Sequence, residues 1–249
     1  MIENDLNHAC FNELKHEKYD IAILPWGATE PHNYHLPYGT DFLLARSISI
    51  DAAKAAGKKD IRVMVLPSIP FGSQNPGQRE EPFCIHITTE TQKYILRDVV
   101  RSLYSQGMRK LVIVNGHGGN SFQSLVRDLS VEYPEFLIVI INWFSVLPMK
   151  TYFENPDDHA GELETSVMMH YFPGKVDLSK AGNGKGRPFA IDGLNEGVAW
   201  TPRIWNKASR DTGIGDPSLS SAEKGKAYVQ DFVQKVSDFL VDLATKELY

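Results

Sequence analysis

The chain has 249 residues, of which 42% are hydrophobic and 23% are charged. This composition excludes intrinsic disorder and predicts one self-sufficient domain over residues 1–249, since a chain of this length buries a sizeable core. With 26 basic and 31 acidic residues the formal net charge is −5, which gives no electrostatic case for nucleic acid or an anionic membrane as a partner.

The cellular compartment is predicted from the cysteines and the N-terminus. Cys10 and Cys84 are too few for a disulfide framework and fit a reducing compartment. The first twenty residues lack a signal-peptide pattern, and no apolar run approaches the length of a membrane span. We therefore expect a cytoplasmic protein without membrane segments.

Short apolar runs alternate with amphipathic segments along the first two thirds of the chain. Four β-branched runs predict strands buried on both faces, at 21–24, 63–66, 111–114 and 136–141. Helical patterns flanked by Ser, Thr, Gly or Pro predict helices near 41–56, 88–107, 121–132, 162–171 and 221–246. This order is typical of an α/β layered fold with a mostly parallel sheet, and residues 182–217 are predicted to form a long ordered loop.

The first segment rich in metal-binding side chains follows the first predicted strand. Glu30 and His32 are two residues apart, so both side chains point the same way if the backbone is extended, as Pro31 favours. A carboxylate beside an imidazole suits Zn, Mn or Fe. Asp41 starts the next helix and either folds back onto this site or simply caps the helix.

The second segment, at 115–120, is a glycine-rich turn between a strand and a helix. Taken alone, such a turn could cradle a phosphate. However, the Lys-Ser/Thr pair of a P-loop and the spacing of a dinucleotide fingerprint are both absent, and His117 stands in the middle of the turn. These features favour a metal over a phosphate.

The third segment lies at the start of the helix predicted for 162–171. His159 is a candidate general acid/base because its ordinary pKa lies near working pH. Glu164 is a candidate metal ligand and catalytic residue, although carboxylates in a first helical turn are also common because they favour the helix dipole. A solvated loop is the better interpretation for Asp157 and Asp158.

Together these blocks resemble the creatininase (creatinine amidohydrolase) family. The motifs that carry the resemblance are PWGATEPH at 25–32, HLPYGTD at 35–41, NGHGGN at 115–120 and HAGELETS at 159–166, in the family's order. The resemblance implies a three-layer α/β/α sandwich, a pair of divalent metal ions (Zn and/or Mn, with Fe as an option) and a homohexamer. Members of the family hydrolyse non-peptide C–N bonds, and one branch of the family trims a peptide.

Carried over by position, the resemblance implies specific ligands. Glu30 and His117 would hold one metal, His32 the other, and Asp41 would bridge them. Creatininase proper has a carboxylate two residues after the histidine that matches His117, where this chain has Gly119. We expect Glu164 to supply the missing ligand; otherwise the second site is weak.

The expected activity is that of a metal-dependent amidohydrolase that uses a metal-activated hydroxide on a creatinine-like cyclic amide or a formamide. Phe83 and Cys84, in PFCI where most relatives read PGTI, argue against simply assigning creatinine as the substrate. Two alternatives stay open: a deformylase or peptide-maturation hydrolase of the same family, and a non-catalytic metal- or ligand-binding protein. Trp200 and Trp205, in the long loop, are candidates for a lid over the substrate.

Overall fold

The computed structural model describes residues 4–155 and 157–249, so the first three residues of the predicted domain lie outside it. A parallel sheet occupies its centre. The four strands are β1 (Ile21–Trp26), β2 (Val63–Val65), β3 (Lys110–Asn115) and β4 (Leu137–Asn142). They lie in the order β2-β1-β3-β4, with Ile23 opposite Val65 on one side and Val112 on the other. All four predicted strands are confirmed, with ends shifted by one or two residues.

Eight α-helices connect or flank the strands in the described residues. They are α1 (Phe11–Leu14), α2 (Thr40–Gly57), α3 (Thr89–Ser105), α4 (Gln123–Glu132), α5 (Glu162–Tyr171), α6 (Asp192–Asn195), α7 (Trp205–Ala208) and α8 (Ala222–Thr245). The predicted caps are present: the Thr88 side chain accepts from the Thr91 N–H at the start of α3, and that of Ser221 accepts from the Lys224 N–H at the start of α8.

Two hydrophobic cores lie on opposite faces of the sheet because successive strand residues point to opposite sides. Ile21 and Ile23 pack with the apolar faces of α2, α5 and α8, whereas Ala22 and Leu24 pack with those of α3 and α4. Helices on both faces of a parallel sheet make the three-layer α/β/α sandwich that the family resemblance implies.

The sheet places the ends of β1 and β3 side by side, since Trp26 is opposite Asn115. The loop from β1 to α2 and the glycine-rich turn after β3 therefore leave the sheet at the same edge, where ligands bind in open α/β folds. Within the described residues, no helix combines the length and the apolar character that crossing a membrane requires.

The segment predicted as a long loop is mostly irregular, but it is pinned to the rest of the chain. It contains α6, α7 and the two-residue strand β6 (Ile214–Gly215), which pairs antiparallel with β5 (Asp157–His159). This pairing holds the segment beside the residues that lead into α5. Residues 182–217 are thus built onto the edge of the sheet where the candidate ligands collect.

Candidate metal centre

The loop after β1 brings three predicted ligands together. Glu30, His32 and Asp41 are each at most 2% exposed. Asp41 lies in the first turn of α2 and faces back into the loop, where its Oδ1 is 2.8 Å from His32 Nε2. His32 Nε2 is also 3.9 Å from Glu30 Oε1. Asp41 therefore joins the cluster rather than capping α2 towards solvent.

The turn after β3 adds His117 to the same cluster. Its Nδ1 lies 2.8 Å from Glu30 Oε1 and 3.2 Å from Asp41 Oδ2. The amide of Asn115 supports the turn, because its Oδ1 accepts from the His117 N–H at 3.2 Å and its Nδ2 donates to the His117 carbonyl at 2.9 Å. Strand β3 thus fixes both the position and the orientation of this histidine.

The third segment completes the cluster from the other side. His159, at the end of β5, has its Nδ1 3.8 Å from Glu30 Oε1 and stacks against His32, with ring centroids 4.3 Å apart. Glu164, in the first turn of α5, accepts from the Ala160 N–H at 2.6 Å. In each of three sets of residues, the ligand atoms lie within 4.8 Å of one another. The sets are Glu30, His32 and His159; Glu30, Asp41 and His117; and His32, Asp41 and Glu164.

Each of the three histidines is anchored by a backbone carbonyl. His32 Nδ1 is 3.0 Å from the Glu30 carbonyl, His117 Nε2 is 2.8 Å from the Ser73 carbonyl, and His159 Nε2 is 2.9 Å from the Pro31 carbonyl. Because a carbonyl oxygen only accepts hydrogen bonds, the ring nitrogen that faces it must donate. The other nitrogen of each ring is then turned towards the carboxylates. Metal-ligating histidines show this arrangement, because the second hydrogen bond sets tautomer and ring orientation.

The same geometry perturbs the ionisation of the cluster. Burial alone would lower the pKa of His32, but the Asp41 carboxylate outweighs burial and raises that pKa to about 10. Burial likewise opposes the charge on His117, yet Glu30 and Asp41 hold its pKa well above the usual value. For His159, burial and the charge of His32 lower the pKa. The carboxylates of Glu30 and Asp41 therefore favour a positive charge at the neighbouring His32 and His117.

The donor set fits divalent metal ions. Glu30 Oε1 and Asp41 Oδ2 are buried and have no hydrogen bond of acceptable geometry, although both face His117 Nδ1. A cation between these groups, either a proton on the imidazole or a bound metal ion, stabilises such buried carboxylate oxygens. Ligands of a tetrahedral Zn²⁺, with bonds of 2.0–2.2 Å, lie about 3.3–3.6 Å apart, and the contacts here range from 2.8 to 3.9 Å. Carboxylate and imidazole ligands together suit Zn and Mn.

Gly119 is closed to any side chain. A Cβ at this position would meet the Ser73 carbonyl oxygen at 2.2 Å and His117 Nε2 at 2.5 Å. A carboxylate side chain therefore has no room at position 119. Glu164 offers a ligand atom within 4.8 Å of those of His32 and Asp41, so its role as the replacement ligand stays a prediction.

Two cavities open onto the cluster. The main cavity, of about 840 Å³, is lined by Glu30, His117 and His159 and by Trp200, Arg203 and Trp205 of the 182–217 segment. The inner cavity, of about 320 Å³, reaches Asp41 and Glu164 from the side of Phe144 and Leu147. Residues 182–217 thus form one wall of the main cavity.

The two candidate lid tryptophans differ in role. Trp205 is buried, donates from Nε1 to the Thr212 carbonyl at 3.0 Å and packs edge-on against His159, with ring centroids 5.3 Å apart. Trp200 is 83% exposed at the rim of the main cavity. Trp205 is therefore a fixed wall of the main cavity, and of the two tryptophans only Trp200 remains a candidate for a lid.

Phe83 and Cys84, which depart from the PGTI of most relatives, are not part of the walls of the two cavities. Phe83 is 88% exposed at a positive φ of 58°, and both residues lie outside the lining of the main and inner cavities. Cys84 is half-buried, and burial together with the charge of Glu30 raises the pKa of its thiol to about 12. The thiol is therefore protonated at neutral pH.

Sequence reasoning missed the glutamines of the loop that follows β2. Gln78 is 1% exposed and donates from Nε2 to Glu30 Oε2, while its own Oε1 is buried without a partner. Gln74 also lines the main cavity and also has a buried Oε1 without a partner. A glutamine in a loop has no sequence signature, so nothing in the spacing could have found either residue.

Comparison with known families decides the classification. The family described as Creatininase (creatinine amidohydrolase) matches residues 4–240. The chain belongs to the creatininase family. The resemblance inferred from the four sequence motifs is thereby confirmed, and it extends past α5 into α8.

Curated members of the family carry different activities. A mycofactocin precursor peptide peptidase of Mycobacterium tuberculosis is 29% identical over 251 residues, which cover 96% of this chain and 93% of that protein. Creatinine amidohydrolase of Pseudomonas putida is 25% identical, covering 88% and 87%. A formylaminopyrimidine monophosphate deformylase of Methanothermobacter marburgensis is 26% identical, covering 93% and 94%. All three names denote hydrolysis of a C–N bond, as the motifs predict.

Solved structures agree with the fold. A protein of Bacteroides fragilis, provisionally assigned as a creatinine amidohydrolase, is 54% identical with a TM-score of 0.97 and covers 100% of this chain and 99% of its own. A creatininase structure with Mn is 21% identical with a TM-score of 0.79, covering 98% and 99%, and shows the fold alone. Mn and Zn both occur in creatininase structures, in line with the metals predicted here.

Proposed function

We propose that the chain is a divalent-metal-dependent hydrolase that cleaves a C–N bond of a small amide. The observation that carries this proposal is the buried cluster in which three histidines, each anchored by a backbone carbonyl, turn their second ring nitrogen towards carboxylates. Such a cluster is costly to bury unless it holds cations.

The proposed ligand sets follow the clustering of donor atoms. Glu30, Asp41 and His117 would hold one ion, and His32, Asp41 and Glu164 the other, with Asp41 shared. Zn and Mn suit these donors, and Fe is a further option. When bound, the ions polarise a substrate carbonyl and lower the pKa of water towards about 7. Gln78 keeps Glu30 oriented by donating to its Oε2.

We assign proton transfer to His159. Its Nε2 donates to the Pro31 carbonyl, so Nδ1 is the atom that can accept a proton and deliver it to the leaving nitrogen. The edge of Trp205 and the ring of His32 hold the imidazole from two sides. A second assignment, supported by the donor atoms of Glu30, His32 and His159, makes His159 a metal ligand.

The size of the main cavity favours a substrate larger than creatinine. A volume of about 840 Å³ lies in the upper part of the range of about 300–1,000 Å³ that accommodates drug-sized ligands. This volume supports a peptide or a large formamide as the substrate rather than a single small ring. Relatives of this chain include a peptide peptidase and a deformylase.

The test is a substrate panel with metal-loaded protein. The panel contains creatinine, other cyclic amides, formamides, short peptides and, because one relative is a 3-dehydro-scyllo-inosose hydrolase, an inosose. We expect turnover of one amide class, abolished by EDTA and restored by Zn or Mn. Metal binding without turnover across the panel would instead favour a non-catalytic binding protein.

We also propose that residues 1–249 act as one domain, in the cytoplasm, as a homohexamer. Two cores on the faces of one sheet support the single domain, and the free thiols of Cys10 and Cys84 suit a reducing compartment. The hexamer rests on the family assignment. Light scattering and calorimetry test assembly and domain number: a monomer or two separate unfolding transitions would contradict the proposal.

A further inference from the structure

A second cavity adjoins the main cavity on the side away from the metal ligands. This outer cavity, of about 650 Å³, shares Phe189, Leu194 and Arg203 with the main cavity, so the two adjoin each other. The main cavity contains Glu30 and His159, and the outer cavity contains the glycine-rich stretch at 183–187. A ligand that extends past the three shared residues would contact the metal cluster with one end and the outer cavity with the other.

The outer cavity is basic although the chain as a whole is acidic. Among the side chains that the structure describes, Lys185, Arg187 and Arg203 line it against one acidic residue, Asp216, whereas the whole chain has a net charge of −5. Lys185 and Arg187 have no ion pair with any residue that the structure describes. Cations gathered in a concave site raise the local concentration of anions.

The backbone that carries these cations is fixed. Gly184 has a φ of +59°, and a Cβ there would meet the Gly215 carbonyl oxygen at 1.8 Å. Its N–H donates to Asp211 Oδ2 at 2.9 Å, and its carbonyl accepts from the Gly215 N–H at 2.9 Å. The Arg187 N–H donates to the Ala208 carbonyl at 2.7 Å. The cations therefore project from an ordered part of the molecule.

Arg203 joins the two cavities. Its guanidinium pairs with Asp158, the residue before His159, and it lines both cavities. This ion pair is partly exposed, so its strength is modest and an incoming anion can replace the carboxylate. Arginine suits this role because its planar fork binds carboxylate or phosphate through two parallel hydrogen bonds.

We propose that the outer cavity binds an anionic group of the substrate, a carboxylate or a phosphate, while the scissile amide lies at the metal cluster. The proposal rests on the proposed hydrolase function and adds the substrate class: an amide with a negatively charged tail. Lys185, Arg187 and Arg203 select the tail, and the cluster acts on the amide.

The first experiment compares substrates that differ only in the tail. Formamides and short peptides that end in a carboxylate, a phosphate monoester or a neutral carboxamide are assayed with metal-loaded wild type and with Lys185→Gln/Arg187→Gln. The control, Lys58→Gln/Arg101→Gln, removes the same charge at exposed positions outside both cavities. We expect KM for charged tails to rise about tenfold in the first variant, with kcat and neutral substrates unchanged, and no such change in the control.

The second experiment does not depend on turnover. Binding of glutarate and of inorganic phosphate to the same metal-loaded proteins is measured by calorimetry at low salt, and we expect the outer-cavity variant to bind the preferred anion about fivefold to tenfold more weakly. Preference between the two anions identifies the tail.

The two experiments separate failure of this inference from failure of the hydrolase function. Turnover without any preference for charged tails overturns the inference and leaves the hydrolase intact. Weakened anion binding without turnover supports the anion site and refutes the hydrolase function. Equal anion binding by all three proteins overturns the inference.

Discussion

Gly119 offers a sharp test of the site's geometry because its neighbour Gly118 is a matched control. Both glycines lie exposed in the turn after β3, and neither has a φ in the left-handed region. A Cβ on Gly118 would meet nothing within 4 Å, whereas one on Gly119 would meet the Ser73 carbonyl at 2.2 Å and His117 Nε2 at 2.5 Å. The two substitutions therefore differ only in what the added methyl group touches.

We expect Gly119→Ala to destabilise the protein by about 1–3 kcal/mol, the usual cost of overpacking, because backbone rather than a flexible side chain must move. For a protein of this size that lowers Tm by about 2–12 °C. The same movement breaks the 2.8 Å hydrogen bond between His117 Nε2 and the Ser73 carbonyl, which orients Nδ1 towards Glu30. Metal affinity should therefore fall by about 10–100-fold.

Gly118→Ala should leave stability unchanged or raise it by up to about 1 kcal/mol, since it only restricts the unfolded chain. Thermal unfolding of EDTA-treated proteins measures stability without the metal, and Zn titration then measures affinity. Equal stabilities for the two alanine variants would refute the steric reasoning. Gly119→Asp that binds a second metal more tightly than wild type would refute the view that position 119 is closed to a ligand.

Three further variants test individual roles in the cluster. His159→Ala should keep its metal and lose about 10²–10⁴-fold in turnover; loss of metal by elemental analysis would make His159 a ligand. Glu164→Gln, which keeps an acceptor for the Ala160 N–H, should reduce the metal content from about two ions to about one, and an unchanged content would remove Glu164 from the ligand set. Gln78→Leu should weaken Zn binding by about 10–100-fold, because Glu30 Oε2 loses its donor; unchanged affinity in a Zn titration would contradict a positioning role.

Much of the fold was predictable from local sequence. The four strands are continuous apolar runs such as residues 111–114, and a strand buried by helices on both faces has no polar side to interrupt the run. The starts of α3 and α8 were equally predictable, since Thr88 and Ser221 are residue types that cap helices. The strand order and the pairing of β5 with β6 could not be predicted, because they depend on contacts between residues that are distant in sequence.

The residues of the site likewise fall into those that the sequence predicted and those that only the fold brings together. Glu30 and His32 were found as a pair because their spacing alone places both on one side of an extended segment. For Asp41 the residues alone left a ligand and a helix cap as alternatives and the motif resemblance favoured the ligand; the structure has its Oδ1 2.8 Å from His32 Nε2. Gln78 and the outer-cavity cations carry no motif, since a loop glutamine or a surface lysine becomes functional only through what the fold sets beside it.

The metal content of the protein tests the central claim most directly. Tag-free wild type and Asp41→Ala are loaded with Zn or Mn, desalted and measured by elemental analysis, with circular dichroism to establish that the variant is folded. We predict about two ions per chain in wild type and almost none in the variant, because both ligand sets share Asp41. No metal in wild type, or full metal in Asp41→Ala, would contradict the proposed centre.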